Sequence, residues 1–242
     1  MSVCQVLRED PDLADAIDAA ERERAIRDCV APTVRLPRGR WSTPGALDCE
    51  DGIGLLVLEG LLIRRVGIEG RFGAELLGDG DLLRPWQGEG AEPPLPHTTG
   101  WHVLDPVRLA LLDAYAERRF AAYPPLTGRL VGRALDRSRN LVVNLAIVHH
   151  ARVNVRLHML FWHLADRWGR VGSEGVLLPL SLTHTVLSEL VAARRPTVTS
   201  ALTELARQGL VWPARHGWLL AGEPPAELLE LQEVVVPLPG GP

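Results

Sequence analysis

Apolar residues follow two rhythms along this chain, one of strands and one of helices. The first stretch, Pro11 to Val30, has the spacing of a helix with Leu13, Ile17 and Ala20 on one side. Between Thr33 and Trp86 the pattern changes to short runs broken by Gly and Pro: Thr33 to Leu36, Gly52 to Val66, and Phe72 to Leu83. The run from Gly54 to Val66 reads as two strands hinged around Glu59-Gly60, and turn residues recur at Gly67, Gly70, Gly78 and Gly80. Several short strands so punctuated predict an antiparallel barrel or sandwich. Residues 87–100, rich in Gly, Pro and Glu, predict an irregular loop; Trp101 to Leu104 reads as a last strand, and a helix is expected from about Pro106 to Phe120.

After Pro124-Pro125 the rhythm is helical. Val131, Leu135, Ser138, Val142, Leu145 and His149 step by alternating fours and threes, which is the seam of a coiled coil. A helix packed only on its own barrel would also bury Leu126, Leu130 and Leu141; the regular alternation and the two polar seam positions favour a dimer helix. A second long helix is expected from Val153 to Trp168, with Leu157, Leu160, Phe161, Leu164 and Trp168 facing a core and Gly169 and Gly172 ending it. Val176 to Leu180 is a short strand.

The segment from Leu182 to Gly222 carries the chemistry. Thr183 is a good N-cap for a helix from Val186 to Ala193, which buries Leu187, Leu190 and Val191. Ala192-Ala193 permits a tight turn. A second helix starts near Arg194-Arg195-Pro196-Thr197, with Pro196 in its first turn, where the missing N–H costs nothing. Val198, Ala201, Leu202 and Leu205 form its apolar face and Gly209 ends it, leaving Arg194, Arg195, Thr197, Thr199 and Ser200 projecting from the other side. Residues 210–220 then read as a hairpin with Arg215-His216 at its tip. Strand, two helices and a basic wing in this order match a recognition helix entering a major groove. Arginine there reads guanine with two hydrogen bonds, and small hydroxyl residues bond phosphates at close approach.

Charge sharpens this picture. Over 242 residues the net charge is −4, but residues 151–222 hold eight Arg against four acids, while the tail 223–242 holds four Glu and no base. A basic segment between acidic ones points to an anionic partner for that segment alone. Cys4, Cys29 and Cys49 lack the spacing of a zinc site or a disulfide framework. With no membrane-length apolar run and no signal peptide at the N-terminus, a cytoplasmic protein is expected.

On these residues the chain resembles the Crp/Fnr family of bacterial transcription regulators over nearly its whole length. Leu190 to Val198 looks like that family's turn and recognition-helix start, Leu58-Glu59-Gly60 like a turn in the middle of its β-roll, Gly80-Asp81-Leu82-Leu83 like the lead into its phosphate-binding cassette, and Asn144-Leu145-Ala146 like the end of its dimer helix. The resemblance implies an α+β chain with four parts. A cyclic-nucleotide-binding-like antiparallel β-roll would occupy residues 1–123, a long dimerisation helix 124–150, a winged helix-turn-helix 151–222 and an acidic tail 223–242. It also implies a homodimer on palindromic double-stranded DNA, contacts with RNA polymerase, no enzymatic activity and no cofactor. The seam residues above would form the dimer interface. Thr183, His184 and Thr185 would join Arg194, Arg195, Thr197, Thr199, Ser200, Arg215 and His216 at the DNA.

The departures bear on the effector. Members that respond to cyclic nucleotides follow the Gly-Asp lead with Gly-Glu, whose carboxylate holds the ribose, and then an Arg that neutralises the phosphate. Here Arg84-Pro85 stands at the first place, and between Arg84 and Arg108 the only basic residues are His97 and His102. The loop instead offers Glu89 and Glu92. The pocket of Gly80, Asp81, Arg84, Pro85 and Ser138 is therefore expected to be degenerate, although Ser138 stands where a hydroxyl meets the purine in cyclic-AMP-responsive members. Arg84, or Arg133 or Arg139 of a partner chain, could take a different anion. An iron–sulfur cluster needs four clustered cysteines, and haem ligation by His97 or His102 has no supporting motif. The recognition helix keeps Arg195 of the family's Arg-Glu-x-x-x-Arg pattern but has Pro196 and Ser200 at its other two reading positions, so its operator should differ. The alternatives are a cyclic-nucleotide-switched regulator, a cupin-type metal enzyme (for which no His-x-His occurs, and His158 and His163 do not share a helix face), and an interaction module without DNA binding.

Overall fold

A computed structural model describes residues 2–42, 51–69, 71–86 and 95–225. Cys49, Gly70, the loop acids Glu89 and Glu92, and the tail from residue 226 lie outside the described residues. The chain divides into two compact units, Met1–Leu141 and Val142–Pro242.

The first unit is built on two long strands, β4 (Gly54–Ile68) and β7 (Thr98–Leu112), numbered after β1 (Ser2–Gln5), β2 (Val30–Leu36) and β3 (Gly39–Trp41). With β5 (Arg71–Leu77) and β6 (Leu82–Leu83) they form an antiparallel sheet in the order β1-β2-β7-β4-β5, with β3 on β7 and β6 on β4. Each long strand changes partner along its length: β4 pairs first with β6 and then with β5, and β7 first with β3 and then with β2. That exchange curls the sheet into a roll.

Strand alternation gives the roll two cores. Leu55, Val57, Leu109 and Leu111 point inward with Trp41, Leu62, Leu77, Leu83, Trp101 and Val103. Leu56, Leu58, Ala110 and Leu112 point outward onto helices. These are α1 (Val6–Glu9), α2 (Pro11–Ala14), α3 (Ala19–Asp28), α4 (Ala114–Phe120) and the first part of α5 (Pro124–His149). Both faces of β4 are therefore covered, which is why its sequence is almost continuously apolar.

Four expectations for this unit are corrected. The helix expected over residues 11–30 is two helices, α2 and α3; Asp18 caps the second by accepting from the Ala20 N–H at 2.9 Å, and Ala25 and Ile26 rather than Ala20 face the core. The two strands expected around Glu59-Gly60 are one strand. Glu59 pairs with Arg108 and Leu61 with Asp105, so Pro106 and Val107 together oppose Gly60 in a β-bulge. Gly60 has φ +101°, and a Cβ there would lie 2.2 Å from the Pro106 carbonyl oxygen, so only glycine fits. The turn that follows is at Glu69, φ +48°, not at Gly67. Finally, β7 runs through Pro106 to Leu112, and the helix begins only after Asp113, whose carboxylate accepts from the N–H groups of Tyr115 and Ala116.

The second unit holds the end of α5, α6 (Val153–Trp168), β8 (Arg170–Gly172), β9 (Gly175–Leu178), α7 (His184–Leu190), α8 (Arg195–Arg207), β10 (Val211–Ala214) and β11 (Gly217–Leu220). Its sheet runs β10-β11-β9-β8. Leu157, Leu160, Phe161 and Leu164 of α6 are buried as their spacing predicts, and Phe161 lies 5.0 Å from Trp218 of β11. The segment after Trp168 is strand β8, where only a helix end was expected.

Candidate nucleic-acid interface

The turn between α7 and α8 is fixed by several independent bonds. Thr183 Oγ1 caps α7 by accepting from the Val186 N–H at 3.2 Å. At the other end Ala192 takes φ +48° and the Ala193 N–H returns to Ser188 O at 2.9 Å. Arg156 of α6 donates to Val191 O at 3.1 Å, covering a carbonyl that the end of α7 leaves unpaired. This arginine counts toward the basic charge of the segment but is spent on holding the turn. No sequence signal sets it apart from the others.

From this turn α8 starts with Arg194 as N-cap and Pro196 in its first turn. Val198, Ala201, Leu202 and Leu205 are buried, whereas Arg194, Arg195, Thr197, Thr199 and Ser200 are exposed. Thr199 and Ser200 direct their hydroxyls to the carbonyls of Arg195 (3.1 Å) and Pro196 (3.3 Å). With its proton so placed, Thr199 Oγ1 accepts from His184 Nδ1 at 2.9 Å, so His184 ties the start of α7 to the first turns of α8. The ring of His184 also lies 6.3 Å from Trp218. Thr183 and Thr185 are exposed.

The wing is the β10–β11 hairpin, in register from Val211↔Leu220 to Ala214↔Gly217, with Arg215 and His216 exposed at its tip. Gly217 has φ +136°, and a Cβ would meet Leu178 O at 2.0 Å, so β11 can lie against β9 only with glycine here. Arg207, by contrast, is held by Glu204 at 2.7 and 2.9 Å, and no carboxylate partner is found among the described residues for Arg194, Arg195 or Arg215.

In the first unit Gly80, at φ +86°, donates to Val57 O, and buried Asp81 accepts from the Gly78 N–H at 2.8 Å. Arg84 is exposed, Pro85 buried, and Ser138 exposed on α5. Cations do reach this turn, from α5 rather than from the loop. Arg133 donates to Gly80 O (3.4 Å) and to Asp10 (2.6 and 2.7 Å) and Asp12 (2.6 Å). Arg137 donates to Leu82 O (2.9 Å) and grips Glu75 with two bonds of 2.6 and 2.9 Å. Glu75 also receives Arg64 at 2.9 Å. Burial opposes the charge of Arg133, but its bonds to Asp10 and Asp12 outweigh that, and its pKa is raised. Arg133 is thus matched by carboxylates of its own chain, and Arg139 lies 3.1 Å from Asp136.

The seam positions Val131, Leu135, Val142 and Leu145 are 54–67% exposed, and Ser138 and His149 are exposed beside them. Leu126 and Leu130 are buried. Among the described residues no group of three or more His, Cys, Asp or Glu side chains is placed to hold a metal ion, and no helix is long and apolar enough to cross a membrane.

The described residues thus define an antiparallel roll, a long helix and a winged helix-turn-helix, in that order along the chain. Residues 155–220 match the model of the Crp-like helix-turn-helix domain. Among solved structures, the chain is similar to a CooA variant from Carboxydothermus hydrogenoformans (17% identity over 83% of this chain and 87% of that one, TM-score 0.60). It is also similar to a cyclic nucleotide-binding domain containing protein from Listeria monocytogenes EGD-e (14%, 87% and 96%, TM-score 0.63). A third is a CRP-family transcriptional regulator from Thermus thermophilus (19%, 82% and 95%, TM-score 0.53). No curated protein matches. The chain therefore carries a Crp-like helix-turn-helix domain over residues 155–220 and shares the fold of these solved structures.

Proposed function

We propose that the chain acts in the cytoplasm as a homodimer that binds a palindromic duplex operator and that neither cyclic AMP nor cyclic GMP is its switch. The dimer pairs along α5 through Val131, Leu135, Ser138, Val142, Leu145 and His149. Residues 1–123 serve as the effector-type domain, 124–150 as the pairing helix and 151–222 as the DNA reader, with RNA polymerase as the protein partner. The observation that supports the DNA contact is the set of exposed guanidiniums with no carboxylate partner among the described residues, at the start of α8 (Arg194, Arg195) and the wing tip (Arg215). Thr183, Thr185, Thr197 and His216 lie at the phosphates; His184, Thr199 and Ser200 shape the surface behind them.

Two features weigh against a cyclic nucleotide. Pro85 replaces the ribose acceptor and is buried. The arginines that reach the Gly80–Leu82 turn are already matched by Asp10, Asp12 and Glu75. A cyclic phosphate entering there would break charge-assisted bonds before making any, at a cost of roughly 1.5–3 kcal/mol for each one lost. Selecting bound duplexes from a random pool tests the DNA reading, and titration calorimetry with both nucleotides tests the rest. Recovery of a palindrome and no heat from either nucleotide is expected. Micromolar nucleotide binding that tightens operator binding would restore the cyclic-nucleotide switch.

A further inference from the structure

Arg129, Arg133 and Arg137 lie four residues apart on α5, and all three are bound to carboxylates of the first unit. Their partners come from three elements far apart in sequence. Asp10 and Asp12 stand at the start of α2, Glu75 is in β5, and the carbonyls of Gly80 and Leu82 belong to the turn and β6. Asp10 and Glu75 are each only 9% exposed, so these bonds are made largely out of water. At 100° per residue the arginine row and the seam row of Val131, Leu135, Val142 and Leu145 lie roughly 160° apart around the helix. One face of α5 is therefore docked by charge, with Leu126 and Leu130 beside it, and the opposite face is left to present the seam.

We propose that Arg133 and Arg137 are positioning residues that serve as an internal effector. They latch α5 to the Gly78–Leu83 turn, so that the seam is presented and DNA bound without an added ligand. The inference rests on the dimeric DNA-binding reading above and supplies what that reading lacks, a reason why no nucleotide is needed. The turn that would close on a phosphate is instead closed on the chain's own guanidinium–carboxylate pairs. These bidentate pairs fix geometry as well as charge.

The test uses the full chain. The double variant Glu75→Gln/Arg137→Met removes both charges, leaves an amide oxygen to accept from Arg64, and strands no buried carboxylate at this pair. Asp10→Asn/Arg133→Met does the same at the other anchor, and Arg137→Lys keeps the charge but loses the two-pronged grip. Arg139→Ala, exposed and outside the latch, is the control. Three quantities are read: amide hydrogen exchange at residues 78–83 and 129–137, the dimer dissociation constant by sedimentation, and affinity for a selected duplex. Wild type should bind equally with and without cyclic AMP. Either double variant, folded by circular dichroism, should exchange faster at both segments and lose about 10–100-fold in dimer and DNA affinity, with Arg137→Lys in between. Unchanged exchange in the folded variants overturns the latch. Faster exchange with dimer and DNA affinity intact overturns its coupling to function, as does a nucleotide that tightens wild-type DNA binding. A wild-type chain that stays monomeric or ignores DNA refutes the underlying reading instead, and exchange at residues 78–83 still decides whether the latch holds.

Discussion

An arginine in the first turn of a recognition helix meets base edges, whereas one at a hairpin tip meets the phosphate backbone. Arg195→Ala should cost about 1–3 kcal/mol on the selected operator and relax one base position. Arg215→Ala should weaken all duplexes alike and reduce the slope of affinity against salt by about one charge. Filter binding at several salt concentrations separates the two, and identical behaviour would contradict the assignment of reader and clamp. A second residue-scale prediction concerns Glu9, which grips Arg108 with bonds of 2.6 and 3.1 Å. Hydrogen bonding from Arg108 holds its carboxyl below the ordinary 4.5. The stability this pair adds is therefore complete above that value and disappears as pH falls through the lower folded pKa. Glu9→Gln should lower the urea midpoint at neutral pH, with a deficit that closes as the pH falls below the ordinary carboxylate range; a constant deficit would mean that charge is not its cause. The exposure of Arg194 and Arg195 was legible in the sequence because projecting residues follow from helical spacing. The employment of Arg133, Arg137 and Arg156 was not, because the partners Asp10, Glu75 and Val191 lie 123, 62 and 35 residues away and nothing local marks them.

Helix boundaries were readable where a side chain caps the backbone. Thr183 is the clearest case, and Thr183→Ala should cost about 0.5–2 kcal/mol of stability, measurable by urea unfolding of the full chain. At two other boundaries a competing signal obscures the cap. Pro106 looks like the first turn of a helix, but it lies in a bulge opposite Gly60, where a missing N–H breaks no ladder bond. The true start is marked by the Asp113 cap. Likewise the apolar spacing from Leu13 to Ala20 hid the Asp18 cap that separates α2 from α3. On α5 the period separated the seam from Leu126 and Leu130, since both sets are apolar at helical spacing, but the arginines that dock the other face carry no local mark. Placing Glu at both Val142 and Leu145 would bury like charges across a paired seam, and sedimentation should then show monomers. A dimer that persists would place the interface elsewhere.

At the scale of the whole molecule, two sequence rhythms became two compact units joined through one helix. The strand order of the roll was beyond sequence reasoning, because β4 and β7 each pair with several strands and only long-range register decides which. The winged helix-turn-helix was readable almost in full, since its caps, turn and hairpin are local. The proposed dimer reads DNA through α8 with no cyclic nucleotide. The most direct test is the affinity of the full chain for its selected duplex, measured with and without saturating cyclic AMP. A palindrome with half-sites about 10 base pairs apart, centre to centre, and the same dissociation constant in both conditions are expected. Binding that appears only when the nucleotide is added would contradict this expectation.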